Sequence, residues 1–354
     1  MDDFRIDTHK LIYHPQRLSG WLRKEAVYPI YIEISPCSAC NHRCIFCAFD
    51  YLGHKPLFFD EKVLKRFLRD IAQKGVKSIL FSGEGETLLY RQLPEVAGYA
   101  ARRGLDVAVT TNGVLLTRAV SGKLLPHLKW LRISLNAATP KTYALVHGTS
   151  RSDFDRVIRN LRQAVRIKRA EGLSCTIGVQ FLLLNENHKE AHLLAPLLAA
   201  AGVDYLIIKP YSQHPLSENR LKTGLDYSSL LSLEKKVHRY ATSSFKVIFR
   251  RHTMHKIRNA RPYRKCLGLP FYAHLTAEGD LYACSSFIGD KRFCYGNVYK
   301  ESFADIWNGP RRRAFNRMMA VKWDIAACRE VCRLDEINRY LWELKYPGEH
   351  VNFI

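Results

Sequence analysis

The chain has 354 residues, 47% of them hydrophobic, and a formal net charge of +22, enough for one large domain or two around a substantial core. No apolar run is long enough to cross a membrane as a helix, and the opening Met1-Asp2-Asp3-Phe4-Arg5 lacks the basic start and apolar stretch of a signal peptide. Ten cysteines in such a chain point to a reducing, cytoplasmic compartment and to metal binding rather than disulfides.

Residues 1–28 are expected to form a leader packed on the main body, with a short helix near 17–25. From Pro29 strand and helix patterns alternate. Residues 29–35 read as the first strand, and directly after it stands Cys40-Asn41-His42-Arg43-Cys44-Ile45-Phe46-Cys47. Three cysteines in one polar loop can wrap three thiolates around a single inorganic centre, and soft sulfur suits iron–sulfur clusters, zinc or Cu(I). A closed zinc or electron-transfer site wants four protein ligands. This run supplies three and stops, which suggests a cluster with one iron open to a small molecule. Cys37, three residues upstream, leaves a C-x2-C zinc reading as the rival.

Asp60 is placed to cap a helix bearing Val63, Leu64, Phe67, Leu68 and Ile71 on one face. Strand 76–81 leads into Gly83-Glu84-Gly85-Glu86-Thr87, where glycines permit close backbone approach and a carboxylate can accept from an ammonium. A helix over 91–103 closes at Gly104. Strand 106–111 ends at Thr111-Asn112-Gly113, which equally fits a plain Asx turn. Helix 115–124, strand 130–135 with Ser134 and Asn136 at its end, a helical stretch over 139–171, strand 175–184, helix 188–201 and strand 205–210 follow. Six strand–helix repeats imply a parallel sheet, most simply an α/β partial (β/α)6 barrel. Right-handed crossovers put the loops after the strands at one mouth. There Lys209, Tyr211, Gln213 and His214 are candidates to touch substrate.

Beyond 215 the pattern breaks. Between Phe245 and Cys266 lie Lys246, Arg250, Arg251, Lys256, Arg258, Arg261, Arg264 and Lys265 with no acidic residue, and Arg311, Arg312, Arg313, Arg317 and Lys322 come later. Such tracts suit a phosphorylated ligand, nucleic acid, an anionic membrane surface, or simply a solvated face. A hairpin is expected over 272–284 with its turn at Glu278-Gly279-Asp280, then helices near 302–307, 310–320 and 328–346. Cys266, Cys284, Cys328 and Cys332 frame this region and can supply four soft ligands. On a helix Cys328 and Cys332 would share one face. Cys294 is left over, as a buried thiol, an exchanging ligand or a hydrogen donor, and Cys175 falls inside a strand. The expected division is a leader over 1–28, a barrel over 29–215, a connecting basic segment over 216–265 and a small α+β domain over 266–354.

The C-x3-C-x2-C loop after a first strand resembles the radical S-adenosylmethionine (SAM) superfamily. The resemblance implies a 4Fe–4S cluster on Cys40, Cys44 and Cys47, with SAM chelating the fourth iron and, after reductive cleavage, yielding a 5′-deoxyadenosyl radical that takes hydrogen from the substrate. Phe46 matches the family aromatic lining the adenine side. The Gly-Glu turn is similar to the family motif for the SAM amino group. Glu84 and Thr87 depart from that motif, and Gly85 and Glu86 align best, after Gly83. Thr111, Asn112, Ser134 and Asn136 match positions contacting SAM ribose and carboxylate. Gly279-Asp280-Leu281-Tyr282-Ala283-Cys284, Tyr295-Gly296-Asn297-Val298 and Ser302-Phe303-Ala304-Asp305-Ile306-Trp307-Asn308 resemble the SPASM/twitch extension, implying an auxiliary 4Fe–4S cluster and, with only C-x3-C near the end, a one-cluster form.

The expected activity is therefore hydrogen abstraction from a small, anionic or sugar-like substrate, of the phosphorylated or nucleotide-linked kind and held by the basic tract, followed by dehydrogenation or epimerisation. Cys294 would be the hydrogen donor in the second case. Flavodoxin or ferredoxin is the expected electron donor, and neither membrane nor nucleic acid is an expected partner. The alternatives are a maturase of a ribosomally made peptide, against which the short leader counts, and a nucleic-acid-binding Fe–S or zinc protein supported by charge alone.

Overall fold

A computed structural model describes residues 4–353 apart from 220, 222, 223 and 258, so Met1-Asp2-Asp3 and Arg258 lie outside the described residues. The chain runs α1 (Pro15–Leu22), β1 (Tyr31–Ile34), α2 (Glu61–Gln73), β2 (Ser78–Phe81), α3 (Leu93–Ala101), β3 (Asp106–Thr111), α4 (Arg118–Leu124), β4 (Trp130–Ser134), α5 (Pro140–His147), α6 (Ser152–Ala170), β5 (Thr176–Leu183), α7 (Ala191–Ala201) and β6 (Tyr205–Pro210). It continues through α8 (Leu231–His238), β7 (Lys246–Phe249), α9 (Arg251–Lys256), β8 (Tyr272–Leu275), β9 (Asp280–Tyr282), β10 (Cys294–Asn297), α10 (Phe303–Asn308), α11 (Pro310–Val321) and α12 (Asp335–Lys345). Among the described residues, no helix is long and apolar enough to cross a membrane.

Local chemistry sets the elements. Asp60 caps α2 by accepting from the Val63 amide at 2.9 Å, and Leu64, Phe67, Leu68 and Ile71 bury its inner face. The stretch expected as one helical region over 139–171 divides into α5 and α6, because Gly148 adopts φ +56° and stops α5.

One ten-stranded sheet carries everything, in the order β10-β9-β8-β1-β2-β3-β4-β5-β6-β7. β1 to β6 are the six parallel strands of the partial barrel, and β7 adds a seventh beside β6. On the other side β8 pairs parallel with β1, Tyr31 opposite Tyr272 and Ile34 opposite Leu275. The C-terminal hairpin thus continues the barrel sheet. The helix expected over 328–346 begins only at Asp335. Cys328 closes a short 3-10 turn with extended ψ of 149°, so Cys328 and Cys332 do not share a helical face. Extended backbone lets amides bond the sulfurs, as Leu334 N–H does to Cys332 Sγ at 3.4 Å.

Gly178 in β5 lies opposite Tyr205 of β6, and a Cβ there would meet Tyr205 Cζ at 2.0 Å. Gly178→Val is expected to lower the anaerobic urea midpoint by ~1–3 kcal/mol of stability. Combined with Tyr205→Ala, the two losses should add to less than their sum, since the ring that causes the clash is gone.

Candidate active site

The loop after β1 turns one cysteine inward and leaves three together. Cys37 is buried, and its thiol donates to the Glu86 carbonyl at 3.1 Å. Burial pushes this thiol up to about 12. Burial likewise raises Cys40 and Cys44, and takes Cys47 to about 11. The charges of Cys47 and Cys40 add to the effect on Cys44, so the three thiols face one another. Among the described residues, the one set of three metal-binding side chains converging within 4.8 Å is His42, Cys44 and His147. Neither cysteine set draws in that tightly.

Cys44 Sγ lies 3.4 Å from His147 Nδ1. The other nitrogen, Nε2, meets the Leu135 carbonyl at 2.8 Å, and since a carbonyl only accepts, Nε2 carries the proton. Burial keeps this imidazole neutral, its pKa lowered to about 3, and its ring stacks on Tyr143 at 4.3 Å. The Phe46 ring meets the His147 edge at 5.3 Å.

The Gly-Glu turn docks on this loop backbone to backbone. The Glu86 amide donates to Ala39 O at 2.8 Å, and a Cβ on Gly85 would lie 2.2 Å from that oxygen. Gly83 has φ +114° with Ser35 Oγ only 2.1 Å from its would-be Cβ. Both glycines are there for close approach. The Glu86 carboxylate accepts from the Thr111 hydroxyl, from Asn112 N at 2.8 Å and from Leu88 N at 3.0 Å, which ties the turn to the end of β3.

Asn112 does two things. Its Oδ1 accepts from Val114 N at 3.0 Å, an Asx turn, while Nδ2 donates to Asn41 Oδ1 at 2.7 Å inside the cysteine loop. Ser134 ends β4 opposite Gln180. Asn136 stands at φ +49°, its Oδ1 accepting from Leu182 N at 2.8 Å and its buried Nδ2 without a partner among the described residues. That free donor, with the three-thiol loop, fits a polar ligand such as SAM.

Glu84 is separate from these contacts. It is buried, its Oε1 has no partner among the described residues, and burial with Glu278 and Asp280 nearby outweighs the Ala277 amide and Ser35, pushing its carboxyl up to about 8.

The second sulfur set gathers from three segments, the last of them carrying both Cys328 and Cys332. Burial raises Cys266, Cys284, Cys328 and Cys332, and Cys332 acts on both Cys266 and Cys284. Donors already point at the sulfurs: Trp323 Nε1 to Cys328 at 3.4 Å and Asn338 Nδ2 to Cys266 at 3.5 Å. Cys294 faces elsewhere, its thiol donating to Gly296 O at 3.6 Å with Asp280, Lys291 and Arg311 as the charges acting on it. Cys175 is a buried core residue.

The four substrate candidates after β6 divide. Tyr211 donates to Gln213 at 2.8 Å, and Gln213 to Asn219 O at 2.6 Å, an internal brace of the loop. His214 stacks on Tyr51 at 5.7 Å with its pKa lowered to about 4 by burial and Arg329. Lys209 faces the barrel interior beside Arg132, Arg329 and Arg333. Sequence reasoning missed Glu33, Arg132, Arg329 and Arg333. A charged residue within the apolar run of β1 was the available signal for the first.

The basic tract turns out to be structural. Arg250 pairs with Asp7 at 3.1 Å, Arg251 with Glu234 at 3.3 Å and Lys256 with Asp335 at 3.0 Å. Arg261 donates to the Cys328 and Arg329 carbonyls at 3.2 and 2.6 Å. Lys256 and Arg261 thus tie the tract to the C-terminal region, while Arg250 and Arg251 tie it to Asp7 and Glu234.

The signature of the radical SAM superfamily matches residues 34–195, and that of an iron–sulfur cluster-binding SPASM domain matches residues 266–333. The chain belongs to the radical SAM superfamily. This SPASM-containing radical SAM enzyme accordingly binds SAM and 4Fe–4S clusters. Among curated relatives, a probable GTP 3',8-cyclase of Metallosphaera sedula is 29% identical over 60% of this chain and 64% of its own length. An Fe-coproporphyrin III synthase of Methanosarcina barkeri is 29% identical over 45% and 38%. The chain thus spans less than two thirds of the length of each. Among solved structures, Streptococcus suis SuiB bound to SAM superposes with TM-score 0.67 at 18% identity, over 92% of this chain and 76% of that one. The enzyme anSMEcpe with SAM does so with TM-score 0.60 at 14%, over 90% and 95%; at such identities these show the fold.

The native Glu84 carboxyl holds its proton up to about pH 8 while an unfolded one loses it near 4.5. Wild-type stability therefore falls as pH rises between these values and levels off above. Glu84→Gln removes the fall. The Tm difference between variant and wild type, measured on reconstituted protein from pH 5 to 8, is expected to grow in favour of the variant, equivalent to ~3 kcal/mol; a pH-independent difference would contradict the assignment.

Proposed function

We propose that this radical SAM enzyme takes a hydrogen atom from an unactivated C–H bond of a small anionic or sugar-like molecule and completes its dehydrogenation or epimerisation. The observation carrying this reading is the position of the two sulfur sets around one strand. The Cys40–Cys47 loop leaves the carboxyl end of β1. Cys284, two residues beyond antiparallel β9, is level with the amino end of β8 and hence of β1. β1 has four residues, about 13 Å of chain, so the two sulfur sets flank opposite ends of one short strand.

When bound, a 4Fe–4S cluster with SAM supplies one-electron reductive chemistry, and an auxiliary cluster supplies an electron acceptor. The chain supplies position. Cys40, Cys44 and Cys47 would hold the first cluster, and Phe46, Gly83, Gly85, Glu86, Thr111, Asn112, Ser134 and Asn136 would line SAM. Here Glu86 acts mainly by fixing Thr111 and Asn112. Cys266, Cys284, Cys328 and Cys332 would hold one auxiliary cluster, leaving Lys209, Tyr211, Gln213 and His214 toward the substrate.

The relatives support a small anion: one carries GTP in its name and another a porphyrin. A peptide remains the alternative, since the same fold is known with a precursor peptide in SuiB. Nucleic acid is the reading from another class, supported by the net charge of +22 alone, part of which is paired internally. A flavodoxin or ferredoxin would deliver the electron.

Anaerobic reconstitution tests the reading. The wild type should hold about eight irons and cleave SAM to 5′-deoxyadenosine; Cys40/Cys44/Cys47→Ala should hold about four and cleave none. No iron in either protein would sink it. Dehydrogenation needs no thiol donor, whereas epimerisation does. Loss of epimerised product, with 5′-deoxyadenosine formation kept, in Cys294→Ala would assign that thiol.

A further inference from the structure

The barrel interior holds more positive than negative charge. Four arginines, Arg132, Arg250, Arg329 and Arg333, act on Lys209. Arg250 is neutralised by Asp7 at 3.1 Å. Arg333 shares Glu33 at 2.9 Å, and its guanidinium sits 5.6 Å over the Tyr31 ring. Arg329 gives three hydrogen bonds to Ser212, at 2.7, 2.9 and 3.1 Å, all to neutral oxygens. Arg132 reaches the Thr110 hydroxyl at 3.5 Å and lies 4.9 Å from the Trp130 ring centre, and its buried Nε has no hydrogen-bond partner among the described residues. Arg333 thus pairs with Glu33, while Arg132 and Arg329 meet neutral oxygens.

These groups line a chamber rather than a packed core. The Arg333 side chain is 43% solvent-accessible, so solvent reaches the cations at this residue. Strand register places the others around it. Lys209 is near the carboxyl end of β6, Arg132 is in β4 opposite Thr110, and Arg329 and Arg333 cross the seam from Ser212, just after β6, to Glu33 in β1. By contrast, the cleft of about 760 Å³ beside Cys328 sets Lys256, Arg261, Arg264 and Arg339 against Asp324, Glu330 and Asp335, so most of its positive charge is matched.

Resting on the proposed function, we infer that Arg132, Lys209, Arg329 and Arg333 form the subsite for the phosphate or carboxylate group of the substrate. Part-buried cations that meet only neutral oxygens, as Arg132 and Arg329 do, are costly, and a planar guanidinium with a free N–H is suited to an oxyanion. Lys209 gives the feature a further signature. Burial and the surrounding arginines hold its pKa well below the usual lysine value, so an anion in the chamber relieves a strain that the ligand-free protein carries.

The test uses the anaerobically reconstituted enzyme in equilibrium dialysis against inorganic pyrophosphate and, separately, citrate, at low ionic strength. The expected result is binding of at least one anion, weakened about tenfold or more by Lys209→Met and by Arg132→Gln, and unchanged by Arg311→Gln on the exposed surface. Tighter pyrophosphate assigns a phosphate ester, tighter citrate a carboxylate. Ligand-free Lys209→Met should also melt higher than wild type, a gain that a merely structural lysine would not give. No binding of either anion, or equal binding by wild type and both interior variants, overturns the subsite. Iron and 5′-deoxyadenosine are measured on the same samples. Failed anion binding in a protein with full iron and SAM cleavage removes the subsite alone, whereas missing iron removes the radical reading and leaves dialysis to judge the chamber.

Discussion

Glu33 is the interaction on which the architecture turns. It is a carboxylate buried to 3% exposure in the strand at the middle of the sheet. A lone buried charge would be expelled or neutralised. Burial does work against it here, and Arg333 with hydrogen bonds from neighbours outweighs burial, holding its pKa well below the usual carboxylate range. The Ser82 hydroxyl donates from the end of β2 at 2.9 Å and the Tyr272 hydroxyl from β8 at 3.0 Å, while His274 approaches to 3.8 Å. Three strands and the C-terminal loop therefore meet on one side chain. Such a pair adds little net stability against an apolar substitute, but breaking it leaves a stranded charge. Its effect is to specify register between β1 and β8, and to hold the loop bearing Cys328 and Cys332 against the barrel.

Much of the barrel was legible because its signals are local. Alternation of apolar strands with amphipathic helices repeats through β6, and Asp60 and Gly104 punctuate it with caps that need no distant partner. The cysteines were legible for a similar reason, being spaced too regularly for core thiols. What escaped depends on residues far apart in the chain. Nothing near Glu33 announces Arg333, three hundred residues later, and the parallel pairing of β8 with β1 joins segments that sequence alone assigns to different domains. The helix expected across Cys328 and Cys332 fails for a chemical reason, because sulfurs that must collect amide and indole donors need extended backbone. Glu84 and Glu86 were hard to separate by motif. Their hydrogen bonds separate them at once.

The charge of +22 misleads when read as composition. The densest basic run is spent on internal contacts, and Arg261 in particular draws together the carbonyls of the loop that carries Cys328. The cations left without a counter-charge are scattered through β4, β6 and the C-terminal loop, where no window of sequence would have grouped them. Clustering in space, not in sequence, decides which positive charges are available to an anion.

The two arginines of the 328–333 loop join the halves of the molecule in a way that sheet pairing cannot. Arg329 follows one auxiliary thiol and reaches the end of β6; Arg333 follows another and reaches β1. Positions this close along an extended chain cannot move independently, so any displacement of Cys328 or Cys332 is transmitted to the chamber wall. The partial barrel leaves a seam between its first and sixth strands, and a hydrophobic plug would have closed it with less electrostatic cost. Closing it with guanidinium groups tied to the sulfur-bearing loop makes the same few residues responsible for the shape of the chamber, its charge and the placing of the second sulfur set.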